Sequence, residues 1–123
     1  MFVYRVENND GRGPYQGNWV VRYKGHKYTS SDLGKAHGGI QYPNIYEDYL
    51  SVRKECFCAS PSKAKICQWF NFKWRSILHL ADYHVGVYKI SIKDVLFGSS
   101  GKQVMFVKNN SKYIKSMLLE GFK

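Results

Sequence analysis

The sequence is poor in cysteine, in acidic side chains and in long apolar runs, and each shortage removes a class of function. Its three cysteines, Cys56, Cys58 and Cys67, cannot all pair, and 123 residues are enough to bury a core without disulfides, so reduced thiols are expected. There is no C-x-x-C element. Cys56 and Cys58 share a face by strand spacing, but no metal is expected. No apolar run approaches the roughly 18 residues needed to cross a bilayer. The N-terminus, Met1-Phe2-Val3-Tyr4-Arg5, lacks the charged, apolar and small-residue order of a signal peptide. A cytoplasmic location and no membrane partner are the expectation.

Acid is the scarcest commodity: nine Asp and Glu face nineteen Lys and Arg, for a formal net charge of +10. The imbalance is uneven, because residues 1–60 carry eight basic and six acidic side chains and residues 61–123 carry eleven and three, a net of +2 against +8. Such a field draws polyanions and accelerates encounter with them. The expected partner is therefore anionic, either nucleic acid or an acidic host or defence protein. A hydrophobic fraction of 44% and an aromatic fraction of 16% exceed what a disordered chain of this charge would hold, so one folded domain spanning 1–123 is expected.

Residues 1–7 read as a strand entering the turn Asn8-Asn9-Asp10-Gly11. The loop continues through Gly11-Arg12-Gly13-Pro14-Tyr15-Gln16-Gly17, where glycines allow backbone to approach a ligand and Arg12 offers it a charge. The spacing matches neither the dinucleotide nor the P-loop fingerprint. Trp19 to Tyr28 alternates aromatic or aliphatic with basic residues and reads as an exposed strand or hairpin around Gly25. Rings and cations so interleaved also suit nucleic acid. Residues 29–48 are polar and glycine-containing, with Ser30-Ser31-Asp32 as a helix start. A long loop there brings in His37, Tyr46, Glu47 and Asp48 as second-rank site candidates.

Cys56 to Ala59 reads as a short buried strand, and Ser60-Pro61 as an N-cap followed by the first helical residue. Ala64, Ile66, Cys67, Trp69 and Phe70 form a helix face that Trp74, Ile77, Leu78 and Ala81 extend through a second or bent helix. Val85 to Ile92 and Gln103 to Val107 read as strands adjacent in one sheet, with Asp94 to Gly101 as the return between them. Asn109 to Leu119 reads as a terminal helix, with Ile114, Met117 and Leu118 inward and Lys108, Lys112 and Lys115 on a basic stripe. With Lys63, Lys65, Lys73 and Arg75, that stripe is the candidate surface for the anionic partner.

Tyr4-Arg5 on the first strand, Gly13-Pro14-Tyr15 in the next loop, Phe57-x-x-Ser60 before a helix ending in Trp69-Phe70, and Gln103-Val104-x-Phe106 on a late strand resemble a group of short bacteriophage proteins. More distantly, the same order resembles the ADP-ribosyltransferase superfamily. That resemblance implies an α+β domain with a central, mainly antiparallel sheet and two to four helices, and NAD as the cofactor. It implies a site in which Arg5, Arg12, Gly13 and Tyr15 hold the nucleotide while Arg5, Ser60 and Gln103 occupy the catalytic positions. Gln103 stands where an acid is wanted, and an amide cannot act as a general base. The resemblance therefore leaves open a transferase using another acid such as Glu7 or Glu47, a nucleotide binder without turnover, or a basic binding module. A phage origin would place the protein in the cytoplasm of an infected bacterium as an accessory or counter-defence factor.

Overall fold

Alternation along the first strand explains the architecture. In the computed structural model, which describes residues 1–37, 56–120 and 122, β1 (Phe2–Glu7) pairs antiparallel with β5 (His84–Lys89), and β5 pairs with β8 (Lys112–Leu118). Val6 opposite Val85 points to one side, while Val3 opposite Tyr88 and Arg5 opposite Gly86 point to the other. Both faces are covered. Val6 and Val85 join Trp74, Ile77 and Leu78 in one core, and Val3 and Tyr88 join Val104 and Phe106 in a second.

The first core lies under α1 (Ser30–Ala36), α2 (Lys63–Trp69), α3 (Phe72–Leu80) and the hairpin of β2 (Val20–Tyr23) and β3 (His26–Thr29). The second lies against a sheet ordered β4 (Cys56–Ala59), β7 (Val104–Val107), β6 (Val95–Phe97). The result is an α+β domain of antiparallel sheets and, among the described residues, three helices. No described helix is long and apolar enough to cross a membrane. Tyr46, Glu47 and Asp48 lie outside the described residues.

Local chemistry sets the boundaries. Lys24 and Gly25 both take positive φ, 50° and 81°, as a tight two-residue hairpin turn demands. Thr29 caps α1 with a reciprocal box: its Oγ1 accepts the Asp32 amide at 3.3 Å and Asp32 Oδ2 accepts the Thr29 amide at 2.9 Å. Between α2 and α3, Asn71 Oδ1 accepts the Trp74 amide at 3.0 Å, while Arg75 donates to the Phe70 carbonyl at 2.7 Å. One segment thus ends a helix and begins the next.

Three expectations are corrected. Ser60 is not the cap of α2; Ser62 is, accepting the Lys65 amide at 3.2 Å. A residue before proline is pushed towards extended backbone, so Ser60 prolongs the strand and exchanges 2.9 and 2.7 Å backbone bonds with Tyr4. The stretch 94–101 is more than a return: it contains β6, which pairs with β7, so β5 and β7 belong to different sheets. The terminal segment is a strand, not a helix. The open edge of β5 needs backbone partners, and this outweighs the helical spacing of Ile114, Met117 and Leu118. Ile114 is the extra residue of a bulge opposite Val87 and Tyr88; Ile114 and Leu118 are exposed, and only Met117 packs on the core.

Gly86 permits the close approach of Glu7: a Cβ there would lie 3.1 Å from the Glu7 Cδ and 3.0 Å from Tyr88 Cε2. Gly34, inside α1, has open space around its missing Cβ. Urea denaturation should show Gly86→Ala losing about 1–3 kcal/mol through overpacking, and Gly34→Ala gaining roughly 0.5–1 kcal/mol from helix propensity.

Candidate functional site

β1 and β4 touch at the Tyr4–Ser60 bridge, and a guanidinium links them beyond it. Arg5 Nη1 donates to the Cys58 carbonyl of β4 at 2.8 Å, and Nη2 donates to the Gly11 carbonyl of the following loop at 3.1 Å. Its Nε lies 3.4 Å from Glu7 Oε1 without a hydrogen bond, and its Cζ stands 4.9 Å from the Phe57 ring centroid. Residues 5 and 7 share a strand face, so Glu7 neutralises the charge that Arg5 brings inside. The Tyr88 hydroxyl contacts both Glu7 oxygens at 2.7 Å, and His84 Nε2 stands 4.0 Å away. Burial first, then the carboxylate, raises the Tyr88 phenol; burial pushes the Cys58 thiol up against the opposing pull of Arg5.

The loop over this pair is pinned from several sides. Asn8 Oδ1 accepts the Asp10 and Arg12 amides at 2.9 and 3.0 Å, and Gly11 takes φ 78° to close the turn. Trp19 Nε1 donates to the Pro14 carbonyl at 2.8 Å and the Tyr83 hydroxyl to the Gly13 carbonyl at 3.3 Å. Gly17 has to be glycine, because a Cβ would coincide with the Tyr83 hydroxyl.

A cleft of about 500 Å³ opens between this loop, β4 and α2. Arg5, Arg12, Gly13, Tyr15, Ser60 and Gln103 all line it, with Trp69 and Phe70 forming an aromatic wall. Arg5 and Ser60 are buried and committed to the scaffold; Arg12 is exposed and forms no ion pair among the described residues. Among the described lining residues the one carboxylate is Asp10.

Tyr15 closes one side through a directional relay. Trp69 Nε1 can only donate, and it does so to the Tyr15 hydroxyl at 2.7 Å; that hydroxyl lies 2.6 Å from His37 Nδ1. With the imidazole neutral and its proton on Nε2, the Tyr15 hydroxyl donates to Nδ1. Burial favours the neutral ring, lowering His37 to about 4.

From sequence, His37 ranks second, Glu7 enters only as an alternative acid and Trp69 only as a helix-face residue, and Tyr88 has no part in the site. Period-two spacing on β1 was the available signal for Glu7. The thiols of Cys56 and Cys58 also belong to strand residues lining the cleft. The described residues contain no group of three or more His, Cys, Asp or Glu able to hold a metal.

The candidate basic residues lie on α2, on α3, and at and after the end of β7. Lys63 and Lys65 begin α2, Lys73 Nζ lies 4.8 Å from the Tyr28 ring, and Arg75 serves helix carbonyls. Lys108 Nζ packs 4.8 Å from the Phe57 ring, and only Lys112 and Lys115 stand exposed on β8, so no helical stripe forms.

Two outcomes test this geometry. Arg5→Met should cost about 3–5 kcal/mol by leaving Glu7 buried and uncompensated, and Arg5→Met/Glu7→Gln should lose less than the sum of the two single variants. For His37, the unfolded chain takes up a proton between about pH 6.5 and 4 that the folded chain refuses. Its contribution is therefore full above that window, lost as pH falls through it and constant below, about 3 kcal/mol in all. Denaturation midpoints of wild type and His37→Asn across this range should diverge with that slope.

No curated protein and no solved structure matches the chain. A family model described as Bacteriophage T4 Y00F protein matches residues 1–120. With nearly the whole length matched, the chain belongs to this bacteriophage protein family.

Proposed function

We propose that the protein is a phage accessory factor of the counter-defence kind that holds a nucleotide, NAD in the first instance, in this cleft without turning it over. One observation carries the reading. Arg5, Arg12, Gly13, Tyr15, Ser60 and Gln103 come from separated parts of the chain, and all line one cavity whose volume suits a small-molecule ligand.

The chemistry divides naturally. Tyr15, Trp69 and Phe70 offer a wall for a planar base, while Arg12 and the glycine-rich backbone offer donors for phosphate. Arg5 supports the site by fixing the loop and β4; its charge is already answered by Glu7. Among the described residues turnover is disfavoured by the carboxylate count, Asp10 being the one acid that lines the cleft. A glycosyl transfer needs an acid to hold the ribose or activate the acceptor, the late-strand position holds Gln103, and Glu7 lies beneath Arg5 and Tyr88. The distant ADP-ribosyltransferase resemblance favours NAD as the first ligand to try.

Titration calorimetry with NAD, ADP-ribose and ATP tests the proposal. Wild type should bind at least one of them, and Arg12→Ala should weaken binding by about tenfold or more, as expected for loss of a charged hydrogen bond. Labelled NAD incubated with the protein and host lysate should stay intact. Absence of binding to all three at about 1 mM would overturn the nucleotide reading, and labelled acceptor would overturn its non-catalytic form. Arg12 is the residue to change, because loss of Arg5 would disturb the scaffold as well as the site.

A further inference from the structure

The β2–β3 hairpin carries an arrangement that folding alone does not favour. Arg22 and Lys27 are directly opposite each other in its register, both exposed. Like charges in that relation oppose strand pairing. No acidic residue occurs from Val20 to Thr29, and Arg22, Lys24 and Lys27 form no ion pair among the described residues. Lys24 occupies the turn at φ 50°, a left-handed conformation that suits Asn or Gly far better than Lys. A third cation is thus held at the tip in strained backbone.

The partner class follows from what lies on each face. Val21, Tyr23 and Tyr28 pack against the first core, and Tyr28 is further held edge-on to Trp74 at 5.6 Å. The aromatics that the sequence interleaves with cations are turned inward. The outer face presents Val20, Arg22, Lys27 and Thr29, with Lys24 at the end. Its one apolar side chain is the exposed Val20, a residue type under-represented among the anchors of protein interfaces. A phosphate backbone needs none, only cations that displace its counterions.

We propose that this hairpin is a docking surface for duplex nucleic acid, engaged through phosphates and without base stacking. A two-stranded ribbon also matches the width of a DNA major groove. This surface is separate from the cleft and does not depend on what the cleft binds.

Fluorescence anisotropy with a labelled random-sequence DNA duplex is the test, using the full chain over a series of salt concentrations. Three phosphate contacts give a slope of log affinity against log salt of about −3. Arg22→Gln/Lys24→Gly/Lys27→Gln should flatten this slope towards zero and reduce affinity at low salt by at least tenfold. Lys24→Gly relieves the left-handed backbone, and the Gln pair removes the cross-strand repulsion, so the triple variant should melt no lower than wild type. Lys112→Gln/Lys115→Gln, on the other exposed strand, should leave most of the affinity intact. No binding at low salt, an unchanged slope in the triple variant, or loss confined to the β8 pair would overturn the proposal. Equally tight binding of polyglutamate would also overturn it, assigning the surface to acidic protein.

Discussion

The guanidinium of Arg5 is the point through which the two sheets and the loop between them are joined. It reaches the Cys58 carbonyl on β4 and the Gly11 carbonyl in the loop from its own place on β1. A charge that deep requires a counter-charge, and Glu7 is present because residues two apart on a strand share a face. Glu7 in turn requires room and a donor. Gly86, opposite Arg5 in the register, leaves room for the Glu7 carboxylate, and the Tyr88 hydroxyl supplies the donor. The sequence features Arg5-x-Glu7 and Gly86-x-Tyr88 are therefore two halves of one network, joined by the β1–β5 register.

That network also determines what the cleft can do. The cation that the family-like pattern would assign to a pyrophosphate is compensated and hydrogen-bonded to backbone, so its effect on a ligand is indirect. It holds open the space between loop and strand. Arg12, on the loop that Arg5 pins, is the exposed cation at that space. The contacts of Tyr15 with Trp69 and His37 build the opposite wall, where burial favours a neutral imidazole. Preorganised walls and one unpaired cation suit binding better than proton transfer.

Much of this was legible where local chemistry decides. The first strand, the hairpin around Gly25, the helix pair and the strand at Cys56 follow from alternation, turn residues and apolar spacing. In the fold, residues 5, 12, 13, 15, 60 and 103 line one cleft. What failed were assignments that depend on distant partners. Ser60 looks like a helix cap until its pre-proline backbone is seen paired with Tyr4. Residues 112–118 have helical spacing, yet β5 has an edge that only an extended segment can satisfy. β6, one of the two strands flanking β7, was hidden because Val95–Phe97 is too short for periodicity to identify.

Charge shows the same limit from another direction. By sequence, residues 61–123 hold most of the excess, which suggests that the anion-binding face lies there. In the fold, Arg75 is drawn to helix carbonyls, while Lys73 and Lys108 lie against aromatic rings. The nearly balanced first half leaves Arg22, Lys24 and Lys27 together on one short ribbon, and among its described acids Glu7 is buried with Arg5 and Asp32 caps α1. Net charge along the chain measures supply, whereas the field that an incoming polyanion meets depends on which cations remain unanswered by neighbouring carboxylates. By that measure, the hairpin cations stand unanswered, as do Lys112 and Lys115 on β8, so sequence position alone does not locate the anion-facing surface.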